Sequence, residues 1–209
     1  MKLYLVRHGE TGSNQIGALD TAVPGADLSE TGLTQAADLV ERFASVPVEA
    51  LFVSTLVRTH QTIEPLAQAL GLTPTVLDGL REINAGDYEM RTDEEAVIGY
   101  MTAVASWLTG DVAVRMPGSE TGEEFLARYD EAVRTIVASG AQTAVLVSHG
   151  AAIRTWIGHR CDLGDWESAA FASLPNTGVI ELEGDLDGWH ILSWTQRPVD
   201  QADPYRRSN

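Results

Sequence analysis

Four apolar residues, Leu3-Tyr4-Leu5-Val6, running straight into Arg7-His8-Gly9-Glu10, constrain this chain more than any other stretch. A run so short and so uniformly apolar reads as a strand buried on both faces. Its abrupt polar end puts Arg7 and His8 at a strand's carboxyl end, where open α/β sheets hold their ligands. The same device returns late in the chain, where Ala144-Val145-Leu146-Val147 meets Ser148-His149-Gly150. Two histidines, each closing a buried strand and each followed by glycine, predict one site assembled from both ends of the sequence.

Between these stretches, strand and helix signals alternate. Leu28-Ser29-Glu30-Thr31-Gly32 opens a helix with Leu33, Ala36, Ala37, Val40, Phe43 and Ala44 on its apolar side, ended by Pro47. Ala50 to Val53 is a second buried strand, and Ser54-Thr55 are suited to cap the next helix. That helix is expected over Leu56 to Leu70, stopped by Gly71 and kinked or broken in its first half by Pro65. Pro74 to Leu77 reads as a strand, and Asp78 to Met90 as an irregular loop carrying Glu82. Glu94 to Leu108 has a helical pattern with Val97, Tyr100, Met101, Val104 and Trp107 inward, and Thr109 to Gly118 is a loop. Thr121-Gly122-Glu123-Glu124 is a capping box for a helix that buries Phe125, Tyr129, Ala132, Val133, Ile136 and Val137 and stops at Gly140. A short helix comes after His149. Gly178 to Leu182 and Trp189 to Trp194 form a hairpin at or near a sheet edge, and the polar tail from Arg197 frays. The alternation predicts an α/β fold, a mostly parallel central sheet with helices on both faces, with residues 1–209 forming one domain.

Composition narrows the function. A net charge of −16 argues against nucleic acid and anionic membrane surfaces as partners. No apolar run approaches the ~18 residues of a membrane span, and the apolar segment at the amino terminus is too short for a signal peptide. The single cysteine, Cys161, leaves no internal disulfide or Cys-rich metal site, so a reduced, cytoplasmic setting is expected. The apolar terminal hairpin offers an edge for pairing with a second copy, and a homodimer is the assembly it would support.

Arg7-His8-Gly9-Glu10-Thr11 at the end of a first strand resembles the signature of the histidine phosphatase superfamily, whose best-known branch is the cofactor-dependent phosphoglycerate mutases. The resemblance continues in order through Leu28 to Gly32 with Gln35-Ala36, Ser54 to Thr62, Leu80 to Glu89, Pro117 to Thr121 and Val147 to Gly150. It implies a three-layer, phosphoglycerate mutase-like sandwich and a small phosphorylated substrate, handled with no metal and no cofactor. Under it His8 is the nucleophile, because neutral imidazole can attack phosphorus. Arg7 and Arg58 supply permanently charged forks for phosphate oxygens. His149, if protonated, donates from another side, and Asn14 and the backbone near Gly150 add neutral donors. Glu82 is the general acid, with Glu10 and Glu89 as nearby competitors.

His60, His159 and His190 lack arginine context and read as packing or surface residues. Gly184 to Gly188 lacks the closing glutamate of a calcium loop and reads as a hairpin turn. Met90 stands where the family usually has glycine, Gly12 and Ser13 where bulkier residues are common, and Ser119 where a second glycine is common. These departures border the substrate side and bear on specificity. The segment after Glu82 is short, which resembles the phosphatase branch and predicts a metal-independent phosphomonoesterase acting through a phosphohistidine. The alternatives are a phosphoglycerate mutase, whose longer inserts keep water from the phosphohistidine, and a non-catalytic phosphate-binding regulatory module.

Overall fold

The computed structural model describes residues 1–164 and 173–195. Its centre is a seven-stranded sheet in the order β3-β2-β4-β1-β6-β7-β5. The strands are β1 (Lys2–Arg7), β2 (Ala50–Val53), β3 (Thr75–Val76), β4 (Thr143–Ser148), β5 (Cys161–Asp162), β6 (Val179–Asp185) and β7 (Gly188–Trp194). The helices are α1 (Gly12–Ile16), α2 (Glu30–Arg42), α3 (Val57–Leu70), α4 (Glu94–Leu108), α5 (Gly122–Ala138) and α6 (Gly150–Arg160). β1, β2, β3 and β4 are parallel, β6 runs antiparallel to β1, and β7 turns back on β6. The fold is α/β, a mostly parallel sheet with helices around it.

Each central strand is apolar at successive positions because both of its faces are covered. Tyr4, Val6, Leu51, Val53, Val145 and Val147 pack with Leu39 and Phe43 of α2 and its edge, and with Ile63 and Leu66 of α3. Leu3, Leu5, Phe52, Ala144 and Leu146 face the other way, toward Trp107 of α4, Phe125 and Tyr129 of α5, and Trp156 of α6. At about 1.5–3 kcal/mol per fully buried aliphatic side chain, these two layers supply the main driving force for the sheet.

Several expectations change in detail. The buried face of α2 is Gly32, Ala36 and Leu39, with Phe43 just beyond it, while Leu33 is 52% exposed. The cause is Gly32, on which a Cβ would stand 2.1 Å from the carbonyl oxygen of Glu10. Backbone contact with the His8 loop therefore orients the helix, and hydropathy has no means of scoring a glycine as a contact residue. The helix also ends at Arg42, before Pro47. α3 runs unbroken through Pro65, and its N-cap is Leu56 with no side-chain cap, so Ser54-Thr55 do not cap it. On α4, Met101 is 46% exposed and Ala96 and Ala103 lie in the core in its place. The loop carrying Glu82 contains two single turns of 3-10 helix, Asp78–Leu80 and Gly86–Tyr88.

The capping box at Thr121, the Gly71 terminator and the hairpin turn before Gly188 are as expected. β5 lies against the outer edge of β7 at Trp189 and His190, so the edge offered for self-pairing is partly occupied. The tail from Arg197 lies outside the described residues. Among the described residues no helix is long and apolar enough to cross a membrane.

Candidate active site

β1 and β4 are neighbours, paired from Lys2↔Thr143 to Arg7↔Ser148, so their carboxyl ends release His8 and His149 side by side. The imidazole centroids are 5.2 Å apart. Between the two strands the chain switches direction, with α2 covering one face after β1 and α6 the other after β4. That switch point opens the crevice expected of a doubly wound sheet. The backbone N–H of His8 donates to Ser148 O at 3.0 Å. Its ring Nδ1 lies 2.7 Å from the Gly9 carbonyl oxygen, which can only accept. The ring proton therefore sits on Nδ1, and the Nε2 lone pair is left available.

Arg7, the last residue of β1, and Arg58, in the first turn of α3, flank the imidazoles. Arg58 is 3% exposed; its Nη2 donates to the Asp20 carbonyl at 2.9 Å, and its Nη1 lies 3.7 Å from Asp20 Oδ2. Arg7 Nη1 donates to Leu174 O. Yet Arg7 Nε, Arg58 Nε, Arg58 Nη1 and His149 Nδ1 are all buried without a hydrogen-bond partner. Buried nitrogens are seldom left so, and four of them at one point form a cradle suited to an anion. Burial lowers the pKa of both guanidinium groups, the electrostatic signature of positive charge short of solvation.

The imidazoles are affected more strongly. Burial, then Arg58, then Arg7 hold His8 well below its ordinary pKa. Burial, then Arg58, then His8 do the same for His149. Both shifts favour the neutral ring before an anion enters, whereas the sequence alone casts His149 as a protonated donor. Its Nε2 is bonded to Ser54 Oγ at 2.8 Å. Ser54 thus serves the second histidine instead of capping α3.

Glu82 reaches the start of α6. Its Oε1 accepts from the Ala152 N–H at 2.8 Å and its Oε2 from the Ala151 N–H at 3.3 Å. His149, the N-cap residue, makes no side-chain cap bond, so the Glu82 carboxylate takes the place of one. The competing carboxylates are engaged elsewhere. Hydrogen bonds from Ser29 and Gln15 hold Glu10 below the usual carboxylate range. Glu89 accepts from the Thr21 and Ala22 N–H groups and from the Thr21 hydroxyl, bracing two loops together. Met90, at the position where glycine is usual, adopts φ 60, the left-handed conformation glycine takes most readily.

Asn14 lies in α1, and its Oδ1 accepts from Thr11 N and from Asn176 Nδ2, which turns its own NH2 outward from those bonds. Gly150 begins α6, and a Cβ there would meet Arg7 Nε at 3.2 Å, so its bare backbone admits the guanidinium. Sequence reasoning alone misses Asp20, Ser54 as a histidine partner, Arg154 and Asn176. Arg154, on the turn of α6 after Gly150, donates from Nε to Gly150 O and is buried near Glu82. Asn176 donates to His8 O at 3.0 Å, and the adjoining Thr177 sits at φ 53 with its N–H aimed at the Arg7 and His8 carbonyls. The only sequence signal for this turn is the Pro175-Asn176-Thr177-Gly178 run itself. Among the described residues no group of three or more His, Cys, Asp or Glu side chains is placed to hold a metal ion.

Residues 3–197 match the histidine phosphatase superfamily, branch 1. The chain belongs to this superfamily. PE-PGRS family protein PE_PGRS11 of Mycobacterium tuberculosis is 33% identical over 214 residues, covering 94% of this chain and 37% of that protein. This chain thus spans little more than a third of that relative's length. A protein named "Probable phosphoglycerate mutase GpmB" from Salmonella choleraesuis is 28% identical, with 93% and 90% of the two chains covered. Among solved structures, a mycobacterial glucosyl-3-phosphoglycerate phosphatase in complex with VO3 superposes with a TM-score of 0.76 at 25% identity, covering 94% of this chain and 99% of the other.

Proposed function

We propose that this chain, acting as one catalytic domain, is a metal-independent phosphomonoesterase of small phosphorylated metabolites that works through phospho-His8. The observation that carries the reading is the set of buried nitrogens on Arg7, Arg58 and His149 that lack a hydrogen-bond partner, beside an imidazole whose Nδ1 is already committed to Gly9 O. A phosphoryl group seated there meets positive charge that exists before it arrives, so little reorganisation accompanies the reaction.

His8 Nε2 attacks phosphorus, the P–O ester bond breaks, and the leaving oxygen takes a proton from Glu82. Water then attacks phosphorus and gives its proton to the Glu82 carboxylate. The P–N bond breaks, releasing inorganic phosphate and the His8 lone pair. When the Ser54 hydroxyl donates to His149 Nε2, the neutral ring carries its proton on Nδ1, the nitrogen with no partner, and His149 joins the cradle without needing a charge. Asn14 Nδ2 and the Gly150 N–H complete the donor set. Because burial holds the His8 pKa well below 6.5, the nucleophile stays competent on the acid side.

The test is to quench turnover of a radiolabelled aryl phosphate and recover the protein. Acid-labile, base-stable label on the wild type and none on His8→Ala is the expected result; label surviving in His8→Ala refutes it. A 3-phosphoglycerate and bisphosphoglycerate mixture adds the second readout. Rapid isomerisation with little phosphate release would make the chain a mutase.

A further inference from the structure

Arg128 lies on α5, outside the crevice, and its guanidinium has five N–H groups. All five are used. Nε donates to Glu120 Oε2 at 2.8 Å and Nη2 to Glu120 Oε1 at 2.7 Å. Nη1 donates to Gly79 O and to Arg81 O, each at 2.9 Å, and the second Nη2 hydrogen goes to Glu82 O at 2.9 Å. Three carbonyls of one loop are thus gathered onto a single planar cation, whose charge is balanced by Glu120. The loop is also tied at its far side, where the Asn84 N–H donates to Glu120 Oε1 at 3.3 Å.

Other contacts hold the loop at single points, among them Tyr100 Oη, which donates to Ile83 O at 3.2 Å, and the α6 N–H groups on the Glu82 carboxylate. Gly79 packs so closely on α5 that a Cβ would lie 2.2 Å from the Arg128 carbonyl oxygen. Ser148 Oγ donates to Leu80 O at 2.8 Å, fixing the loop's entry. The Glu82 carbonyl itself is held by Arg128. The Arg128–Glu120 pair is largely buried, with side-chain exposures of 17% and 16%. The loop's own turns shape it locally, and the bonds from Arg128 to Arg81 O and Glu82 O fix where that part of it stands against α5.

We infer that Arg128 is a positioning residue for Glu82, acting through the backbone of residues 79–82 and not by contact with substrate. The inference rests on the general-acid reading of Glu82, and a displaced acid has a distinct kinetic signature. Proton donation matters most when the leaving oxygen is strongly basic, and little when it is a weakly basic phenolate.

The experiment compares p-nitrophenyl phosphate with an alkyl phosphate for the wild type, Glu82→Gln, Arg128→Lys and the double variant. Lysine keeps the charge but has only three donors, so at least two of the five bonds go. Arg128→Lys is expected to lower kcat for the alkyl phosphate by about 10-fold or more and for the aryl phosphate by less than about threefold, with KM little changed. The double variant should lose no more than Glu82→Gln alone, because the brace has nothing left to aim. Gly79→Ala, which keeps the Arg128 side chain but forces the loop from α5 and so off the guanidinium, should reproduce the selectivity if Arg128→Lys fails to fold. Parallel loss on both substrates, or additive losses in the double variant, overturns the inference while leaving Glu82 as the acid. If Glu82→Gln itself shows no leaving-group selectivity, the general-acid reading falls and takes the inference with it.

Discussion

The two buried imidazoles make folding stability depend on pH in a way that can be worked out in advance. Take His8→Gln as the perturbation. The unfolded ring titrates near pH 6.5, whereas in the folded chain burial beside Arg58 and Arg7 holds it well below that value. The folded state therefore binds fewer protons than the unfolded state across this window, and stability rises with pH there. Going down in pH, the stability attached to the neutral ring is lost from about the unfolded pKa onward, for as long as the folded ring stays neutral. Between about pH 7.5 and pH 5.5, the linkage integral for one such histidine is about 1.4 kcal/mol, and for His8 and His149 together about 2.7 kcal/mol. Urea unfolding at both pH values, with an unchanged m-value, reads this directly. The wild type should lose about 1.4 kcal/mol more than His8→Gln on acidification, or roughly 3–6 °C in Tm for a domain of this size. Taking the difference between proteins cancels the other titrating groups. Saturating orthophosphate should shrink the gap, because an anion in the cradle favours protonated rings. Identical pH dependence in the wild type and His8→Gln, without phosphate, would refute the claim that the folded imidazole is held neutral.

Arg58→Lys should lower kcat/KM by about 100-fold, since an ammonium cannot reproduce the forked donor set on the phosphoryl oxygens; a loss below about fivefold in steady-state assays would contradict the cradle. Gly32→Ala should destabilise by more than about 2 kcal/mol in chemical denaturation, because a Cβ 2.1 Å from Glu10 O has only backbone to displace, and activity should fall as the His8 loop shifts. Met90→Gly should raise stability by less than about 1 kcal/mol by relieving the φ 60 backbone, partly offset by the freer unfolded chain, while Met90→Ala should give no gain. Thermal melts of the two Met90 variants separate strain relief from loss of the side chain.

Much of this protein was legible in its residues one at a time. Fully apolar strands ending in Arg7-His8 and Ser148-His149 determined a parallel core with ligands at the strand ends, because alternating hydropathy would have exposed a face and a uniform run cannot. The capping box at Thr121 and the glycine at 71 marked helix boundaries, since capping depends on hydrogen bonds between residues only a few positions apart. What the tertiary structure alone decided involves contacts between distant segments. Hydropathy scored Leu33 as inward, but the contact of Gly32 with Glu10 rotated α2 the other way. Ser54 looked like a cap until β4 brought His149 to its hydroxyl, 95 positions along the chain. The downward shift of both imidazole pKa values also belongs to the assembled fold, because desolvation and the field of Arg58 exist only once the strands pair. Arg128 is the clearest case: on α5 it reads as an ordinary helical arginine, and its work on the Glu82 loop depends on five bonds that no local pattern relates. Local hydrogen bonding and burial preference are written in neighbouring residues, whereas electrostatics and backbone approach depend on distances that only the packed chain defines.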